Sequence, residues 1–125
     1  MAKILVVDDD DTIILVFRTH LTKAGYTVET AVDGVDAFAK IPAFKPDLIL
    51  LDINMPKMSG FELAKRLKES PETKNIPIFI MTSLKQEANI KKGYDLGIEE
   101  YLTKPTNVAH LLLRVNKFFE KSRSC

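Results

Sequence analysis

Short apolar runs alternate with helical patterns along the whole sequence, and this alternation limits the fold more than any other feature. The runs at 4–7, 48–51 and 76–81 have the length and composition of buried strands. Segments 26–30 and 100–102 show weaker strand patterns. Because the two central runs are apolar on both sides, they are typical of a parallel sheet that is covered on both faces.

Helical patterns with start signals fill the intervals between these runs. The first one runs from Ile13 to Leu21 at helical spacing and ends near Gly25. We expect Pro42 to end the second helix and the fourth helix to reach about Leu96. The predicted N-caps of the five helices are Asp10 or Asp11, Asp33, Ser59, Ser83 and Thr106.

The order of these segments predicts an α/β fold. Five repeats of strand and helix, joined by right-handed crossovers, give a parallel sheet with helices on both faces. A chain of 125 residues is large enough to form one hydrophobic core. We expect one domain over residues 1–121, a tail over 122–125 and no effector domain.

Composition and charge argue against several classes of protein. The net charge is +1, from 18 basic and 17 acidic residues, so no field favours nucleic acid or a membrane surface. The single cysteine, Cys125, excludes an intrachain disulfide. The apolar run after Met1 is too short for a signal peptide or a membrane span. We therefore expect a cytoplasmic protein.

Polar side chains follow the predicted strands at the point where each strand ends. Asp8 and Asp9 follow the first strand, Asp52 the third, Thr82 the fourth and Lys104 the fifth. Ligands of open parallel sheets bind at this edge. Three carboxylates repel one another there, and one lysine cannot balance them. Their oxygen atoms suit Mg²⁺, with Mn²⁺ as a plausible substitute.

These acids could instead be helix caps. Asp10 or Asp11 can cap the first helix and Asp33 the second. Asp52 is a poor cap, because the next helix begins at Ser59. Within the four consecutive aspartates at 8–11, Asp9 with Asp10 is the alternative metal-binding pair. Asp8 with Asp9 is preferred because this pair directly follows the first apolar run.

The sequence resembles the receiver domains of bacterial response regulators over residues 3–119. The segments that carry the resemblance are Val6-Val7-Asp8-Asp9, Leu50-Leu51-Asp52-Ile53-Asn54-Met55-Pro56, Met58-Ser59-Gly60, Met81-Thr82-Ser83 and Tyr101-Leu102-Thr103-Lys104-Pro105. The resemblance implies a flavodoxin-like, doubly wound five-stranded parallel sheet of order 2-1-3-4-5, flanked by five helices.

The resemblance also implies a signalling role centred on Asp52. This residue would accept a phosphoryl group from a sensor histidine kinase or a histidine phosphotransfer protein. Asp9 and Asp52 would supply side-chain oxygens to Mg²⁺, Asn54 would supply its backbone carbonyl, and Asp8 would act largely through water. No activity is expected beyond the domain's own phosphorylation and dephosphorylation.

Three further residues would respond to the phosphoryl group. The resemblance implies that Lys104 pairs with one phosphoryl oxygen, that Thr82 donates its hydroxyl to another, and that Tyr101 turns inward as a switch. These movements would change the face built by the fourth helix, fifth strand and fifth helix, about residues 85–119. A downstream protein or a second copy would bind there, without direct contact to nucleic acid or a membrane.

Other functions remain open at this point. A flavodoxin would need hydroxyls and amides after the first strand, where this chain has four aspartates. A haloacid dehalogenase-type hydrolase would need an acid where Asn54 stands. A degenerate receiver would lack the acceptor, the threonine or the lysine, and Asp52, Thr82 and Lys104 are all present. A phosphorelay shuttle and an excised domain of a larger regulator also fit the sequence.

Overall fold

The computed structural model describes residues 2–53, 60–82, 97–103 and 107–123. Its strands are β1 Lys3–Val7, β2 Thr27–Ala31, β3 Leu48–Asp52, β4 Ile78–Thr82 and β5 Glu100–Thr103. Within the described ranges its helices are α1 Asp11–Lys23, α2 Gly34–Phe44, α3 Gly60–Glu69 and α4 Val108–Arg123. The helix predicted to start at Ser83 lies outside these ranges.

All five strands form one parallel sheet in the order β2-β1-β3-β4-β5. The predicted strand order is therefore confirmed. Four of the five predicted helices are seen in the described residues. Every residue of β3 and β4 is buried, whereas the edge strand β2 is only partly covered. This difference explains why the sequence pattern of β2 is the weaker one.

The sheet divides the core into two layers because successive side chains of a strand point to opposite faces. In β3, Leu48 and Leu50 face α1 and α4, where they pack with Phe17 and Leu111. Ile49 and Leu51 face the other way. They join a cluster with residues of α2 and α3, which are Ala37, Ile41, Phe61, Leu63, Ala64 and Leu67.

The N-caps follow the predicted residues in two helices and differ in one. The Asp10 carboxylate accepts hydrogen bonds from the amides of Thr12 and Ile13, at 2.9 and 3.3 Å. Asp33 accepts from the Asp36 amide at 2.7 Å. Asn107, one residue beyond the predicted Thr106, caps α4 by accepting from two backbone amides. Ser59, Ser83 and Thr106 lie outside the described residues.

Pro42 does not end α2, contrary to the prediction, because the helix continues to Phe44. Proline lacks the amide hydrogen that would bond one turn back, but its fixed φ angle is compatible with a helix. The helix ends instead at Lys45, which adopts a left-handed conformation with φ of 54°. The Lys45 amide donates to the carbonyl of Ile41 at 2.8 Å and closes the last turn.

Lys68 fixes the connection between α3 and β4. Its ammonium donates to the carbonyls of Lys74 and Ile76, at 3.2 and 3.3 Å. Burial lowers the pKa of Lys68, and the Glu99 carboxylate opposes this shift. Among the described residues, no helix has both the length and the apolar character needed to cross a membrane.

Replacing a central core residue should be far more damaging than replacing an exposed one. Leu50 is fully buried in β3, so Leu50→Ala removes packing on the α1–α4 side and should lower the free energy of unfolding by about 3–5 kcal/mol. Leu113 is half exposed on α4, so Leu113→Ala should change it by less than about 0.5 kcal/mol. Urea unfolding of both variants tests the layer assignment, and equal losses would contradict it.

Candidate functional site

Three carboxylates meet at the carboxyl edge of the sheet. Asp52 is the last residue of β3, and Asp8 directly follows β1. In the pairing of β1 with β3, Val7 lies level with Leu51. The residues that follow them, Asp8 and Asp52, are therefore neighbours at the ends of the two strands. Together with Asp9, the two residues offer carboxylate oxygens that all lie within 4.8 Å of one another. The register of β1 and β3 therefore brings together the carboxylates that the sequence placed at the predicted strand ends.

The electrostatics of this cluster favour a cation. Asp8 and Asp52 are 0% and 1% exposed, whereas Asp9 is exposed. If both buried carboxylates are ionised at this separation, they repel by about 3 kcal/mol at an effective dielectric constant of about 20. This repulsion energy is larger than the stabilisation of about 1 kcal/mol that a single helix cap contributes. A bound cation would offset this repulsion.

The donor set fits magnesium. All three side chains offer hard oxygen donors, and one of them reaches solvent, which leaves room for the water ligands that Mg²⁺ retains. Two oxygens on one magnesium ion lie at most about 4.2 Å apart, since each bond is about 2.1 Å long.

Hydrogen bonds around Asp8 distinguish the residues that could bind a metal ion from the residue that caps α1. The Asp8 amide donates to the carbonyl of Ala31 at 3.1 Å, which extends the β1–β2 pairing by one residue. One carboxylate oxygen of Asp8 accepts from the Asp10 amide at 2.9 Å. Asp10 itself caps α1. This division of roles favours Asp8 with Asp9 over Asp9 with Asp10 as the metal-binding pair.

Thr82 lies on β4, which is next to β3, and Tyr101 lies on β5, one strand further along the sheet. Thr82 ends β4, is 4% exposed and stands one residue beyond Met81, which is level with Asp52. Tyr101 of β5 is partly buried against the core layer of α2 and α3. Asn54 and Lys104, the other two candidates, lie outside the described residues. Asp8, Asp9 and Asp52 converge, and Thr82 lies beside them.

Gly60 supports the site in a way that sequence reasoning did not identify. A Cβ atom at this position would lie 2.5 Å from the backbone oxygen of Asp52 and 2.8 Å from the Cα of Ile53. The Gly60 amide donates to the carbonyl of Ile53 at 3.0 Å. The start of α3 thus rests directly on the backbone of Asp52. The sequence signal that could have indicated this role is the glycine that follows Met58-Ser59.

A family comparison agrees with this geometry. The family model for the response regulator receiver domain matches residues 4–116. The chain belongs to this family. The receiver-domain resemblance found in the sequence is thereby confirmed.

Relatives of this receiver domain occur both as short and as longer proteins. It is 39% identical to the protein PilH of Pseudomonas aeruginosa, covering 93% of this chain and 96% of PilH. It is 38% identical to the DNA-binding dual master transcriptional regulator RpaA of Synechocystis, covering 98% of this chain but 51% of RpaA. The chain thus spans about half the length of RpaA and of the Bacillus subtilis regulator PhoP.

Solved structures share the fold over nearly the whole receiver domain. The chemotaxis protein CheY4 of Vibrio cholerae is 38% identical and superimposes with a TM-score of 0.88, covering 94% of this chain and 98% of CheY4. A CheY-like receiver domain protein of Methanospirillum hungatei is 27% identical with a TM-score of 0.91, covering 99% and 98% of the two chains.

Adding one methyl group at Gly60 should disturb both folding and the site. Gly60→Ala forces the backbone of Asp52 or Ile53 to shift, which should lower the free energy of unfolding by about 1–3 kcal/mol. If Asp52 is the phosphoacceptor, as the resemblance implies, the substitution should also slow phosphorylation by a small phosphodonor. Gly25→Ala is the matched control, because it strains a left-handed residue with φ of 101° at the opposite end of the sheet. Equal phosphorylation rates in the two variants would contradict a positioning role for Gly60.

Proposed function

We propose that this receiver domain is a phosphorylation-controlled switch in two-component signalling, with Asp52 as the phosphoacceptor. The observation that carries the proposal is the cluster of Asp8, Asp9 and Asp52 at the carboxyl edge of the sheet. Asp52 ends the central strand β3, and it is the member of the cluster that lies within a strand. The donor would be the phosphohistidine of a sensor kinase or of a histidine phosphotransfer protein.

The proposed reaction is a phosphoryl transfer between two side chains. A carboxylate oxygen of Asp52 attacks phosphorus, and a P–O bond forms as the P–N bond to the donor histidine breaks. The leaving imidazole takes up a proton from solvent. The product is an acyl phosphate on Asp52, and hydrolysis of that bond by water returns the carboxylate and inorganic phosphate.

Asp8 and Asp9 support this reaction by holding a divalent cation beside Asp52. Their carboxylates, an oxygen of Asp52 and the backbone carbonyl of Asn54 are the proposed ligands, and Mg²⁺ is the proposed ion. When bound, magnesium supplies positive charge next to the carboxylates and the incoming phosphoryl oxygens. The hydrogen bond from the Asp10 amide to one carboxylate oxygen of Asp8 orients this side chain.

Thr82, Lys104 and Tyr101 convert the new charge into a change of surface. A phosphoryl group on Asp52 brings nearly two negative charges and strong acceptor oxygens. The hydroxyl of Thr82 and the ammonium of Lys104 are the proposed donors to them. Inward movement of Thr82 makes space for Tyr101, and the face over about residues 85–119 then binds a downstream protein or a second copy.

A phosphorelay shuttle is the second candidate, and it uses the same acceptor. In that case Asp52 passes its phosphoryl group to another histidine, and no distant surface has to change. The similarity to PilH over nearly its full length shows that relatives of receiver size exist. A role as one domain of a longer regulator is equally consistent with the similarity to RpaA.

Asp52 alone should carry the phosphoryl group. Incubation with acetyl phosphate and Mg²⁺ should add one phosphoryl group to the intact mass, and Asp52→Asn should abolish the addition because an amide cannot form the acyl phosphate. Asp11→Asn is the matched control, since Asp11 is an exposed acid in the first turn of α1. Undiminished labelling of Asp52→Asn would exclude Asp52 as the acceptor.

Thr82 should couple the phosphoryl group to the distant face. With beryllofluoride and Mg²⁺ as phosphoryl mimic, amide hydrogen exchange should change both near Asp52 and over about residues 85–119. Thr82→Ala should still be phosphorylated but should lose the distant changes. Thr103→Ala serves as the control, because Thr103 pairs with Thr82 in the sheet but is exposed. Changes confined to the acidic cluster in the unmodified protein would support the shuttle instead.

A further inference from the structure

The edge strand β2 carries a cluster of charged side chains, which we call the edge clamp. Glu29 belongs to β2, and Asp36 and Lys40 lie on α2. The Lys40 ammonium forms ion pairs with Asp36 at 3.4 Å and with Glu29 at 3.9 Å. The three side chains are between 29% and 45% exposed, and ion pairs with this exposure contribute little to stability.

The pairing of β2 with β1 determines which backbone groups of β2 point to the open edge of the sheet. The Thr27 amide donates to the carbonyl of Ala2 at 2.9 Å. The Ala31 carbonyl accepts from the Asp8 amide at 3.1 Å. The amide and carbonyl of one strand residue point to the same side, and successive residues alternate between the two sides. Thr27 and Ala31 therefore point toward β1, whereas both main-chain groups of Thr30 point outward.

The edge clamp occupies both outward groups of Thr30. The Thr30 amide donates to Oε1 of Glu29 at 2.8 Å. The Thr30 carbonyl accepts from Nζ of Lys40 at 2.7 Å. Just beyond the strand, the Val32 amide donates to Oδ2 of Asp36 at 3.1 Å. Side chains of this domain thus take the positions that backbone groups of a neighbouring strand would take.

Lys40 joins the three side chains into one unit. It contacts both carboxylates and so holds each of them beside the amide that it accepts from. Asp36 lies four residues before Lys40 on α2, which is the favourable order and spacing for a helical ion pair. Loss of Lys40 would free the Thr30 carbonyl and would deprive both carboxylates of the cation that they share.

The residues around Thr30 would otherwise favour pairing with another strand. Val28, Thr30 and Val32 are β-branched, and such residues have high strand propensity. An edge strand with open amide and carbonyl groups is a template for a strand of another chain. A second β2 that runs antiparallel could form a hydrogen-bonded pair between the two copies of Thr30, because their main-chain groups point outward. This pairing needs the same groups that the edge clamp occupies.

We propose that the edge clamp is an autoinhibitory contact, which prevents β2 from pairing antiparallel with β2 of a second copy. Its side chains take the place of the incoming strand at Thr30. Its two carboxylates and one ammonium carry a net charge of −1, and a two-fold axis beside Thr30 would bring two such charges together. The occupied backbone groups and the like charges both oppose pairing. The clamp does not include Asp52, so this role does not depend on phosphorylation.

The first test compares two matched double substitutions. Glu29→Leu with Lys40→Met removes one acid and one base from the clamp, whose net charge stays at −1 through Asp36. Glu62→Leu with Arg66→Met makes the same changes at an exposed ion pair of α3, whose atoms lie 3.6 Å apart. Both variants keep the net charge of +1 and gain the same apolar side chains.

Sedimentation of the unphosphorylated full chain from about 10 µM to about 1 mM measures association. The unmodified chain, of 14.1 kDa, and the α3 variant should remain monomeric, whereas the clamp variant should associate at least about tenfold more strongly. Equal association of the two variants would overturn the proposal, because added apolar surface would then be the cause. A clamp variant that stays monomeric would overturn it as well, whether or not its stability falls.

Amide hydrogen exchange tests the blocked edge directly, at a dilution where the clamp variant is monomeric. The Thr30 amide should exchange at least about tenfold faster in the clamp variant than in the unmodified chain, since Glu29 no longer accepts from it. The Val32 amide is the internal control, because its acceptor Asp36 is retained. Equal exchange of the Thr30 amide in both chains would show that the clamp does not protect it.

A second pair of variants identifies β2 as the contact. Proline lacks the outward amide but is compatible with an edge strand. Adding Thr30→Pro to the clamp variant should therefore weaken association at least about tenfold. Thr30→Val is the matched control, because it keeps the amide and the β-branched shape and should leave association unchanged. Association that persists with Thr30→Pro, or that falls equally with Thr30→Val, would show that strand pairing at β2 is not the contact.

Discussion

The parallel pairing of β1 with β3 places Asp8 level with the end of β3, and the chemistry of the domain depends on this register. Two carboxylates are thereby buried side by side at the carboxyl edge of the sheet. Their repulsion opposes folding, and a bound cation would offset it. In the proposed function, the same feature that lowers stability makes the edge a site for a divalent ion and then for a phosphoryl group. Apolar packing on both faces of the sheet holds this arrangement in place.

The strands and the acidic cluster could be predicted because both depend on local patterns. Apolar runs indicate the buried strands, and parallel strands bring their carboxyl ends to one edge of the sheet. Asp8 and Asp52, which are 44 positions apart in sequence, could therefore be predicted to lie close together. Helix ends were less predictable. Pro42 is accepted within α2, and Asn107 caps α4 in place of Thr106, because several nearby residues can satisfy the same backbone groups.

Two features depend on tertiary contacts that no local pattern contains. Gly60 is important because the backbone of Asp52 occupies the space that a side chain at position 60 would need. The sequence alone does not show which atoms lie against a glycine. The exposed apolar residues of α2 read as an ordinary buried helix face until the structure shows that Ala37 and Ile41 already fill that role. Sequence patterning shows that a surface is apolar, while packing decides whether the domain itself covers it.

Binding of Mn²⁺ followed by NMR tests the central claim most directly, because Mn²⁺ substitutes for Mg²⁺ and broadens the amide signals of nearby residues. Broadening should be strongest at Asp8, Asp9 and Ile53, and added Mg²⁺ should reverse it. Asp9→Ala should remove most of the effect, whereas Asp10→Ala should weaken the cap of α1 and leave the broadening in place. Broadening centred on another acidic group, such as Glu29 with Asp36, would contradict the assignment of the cation site.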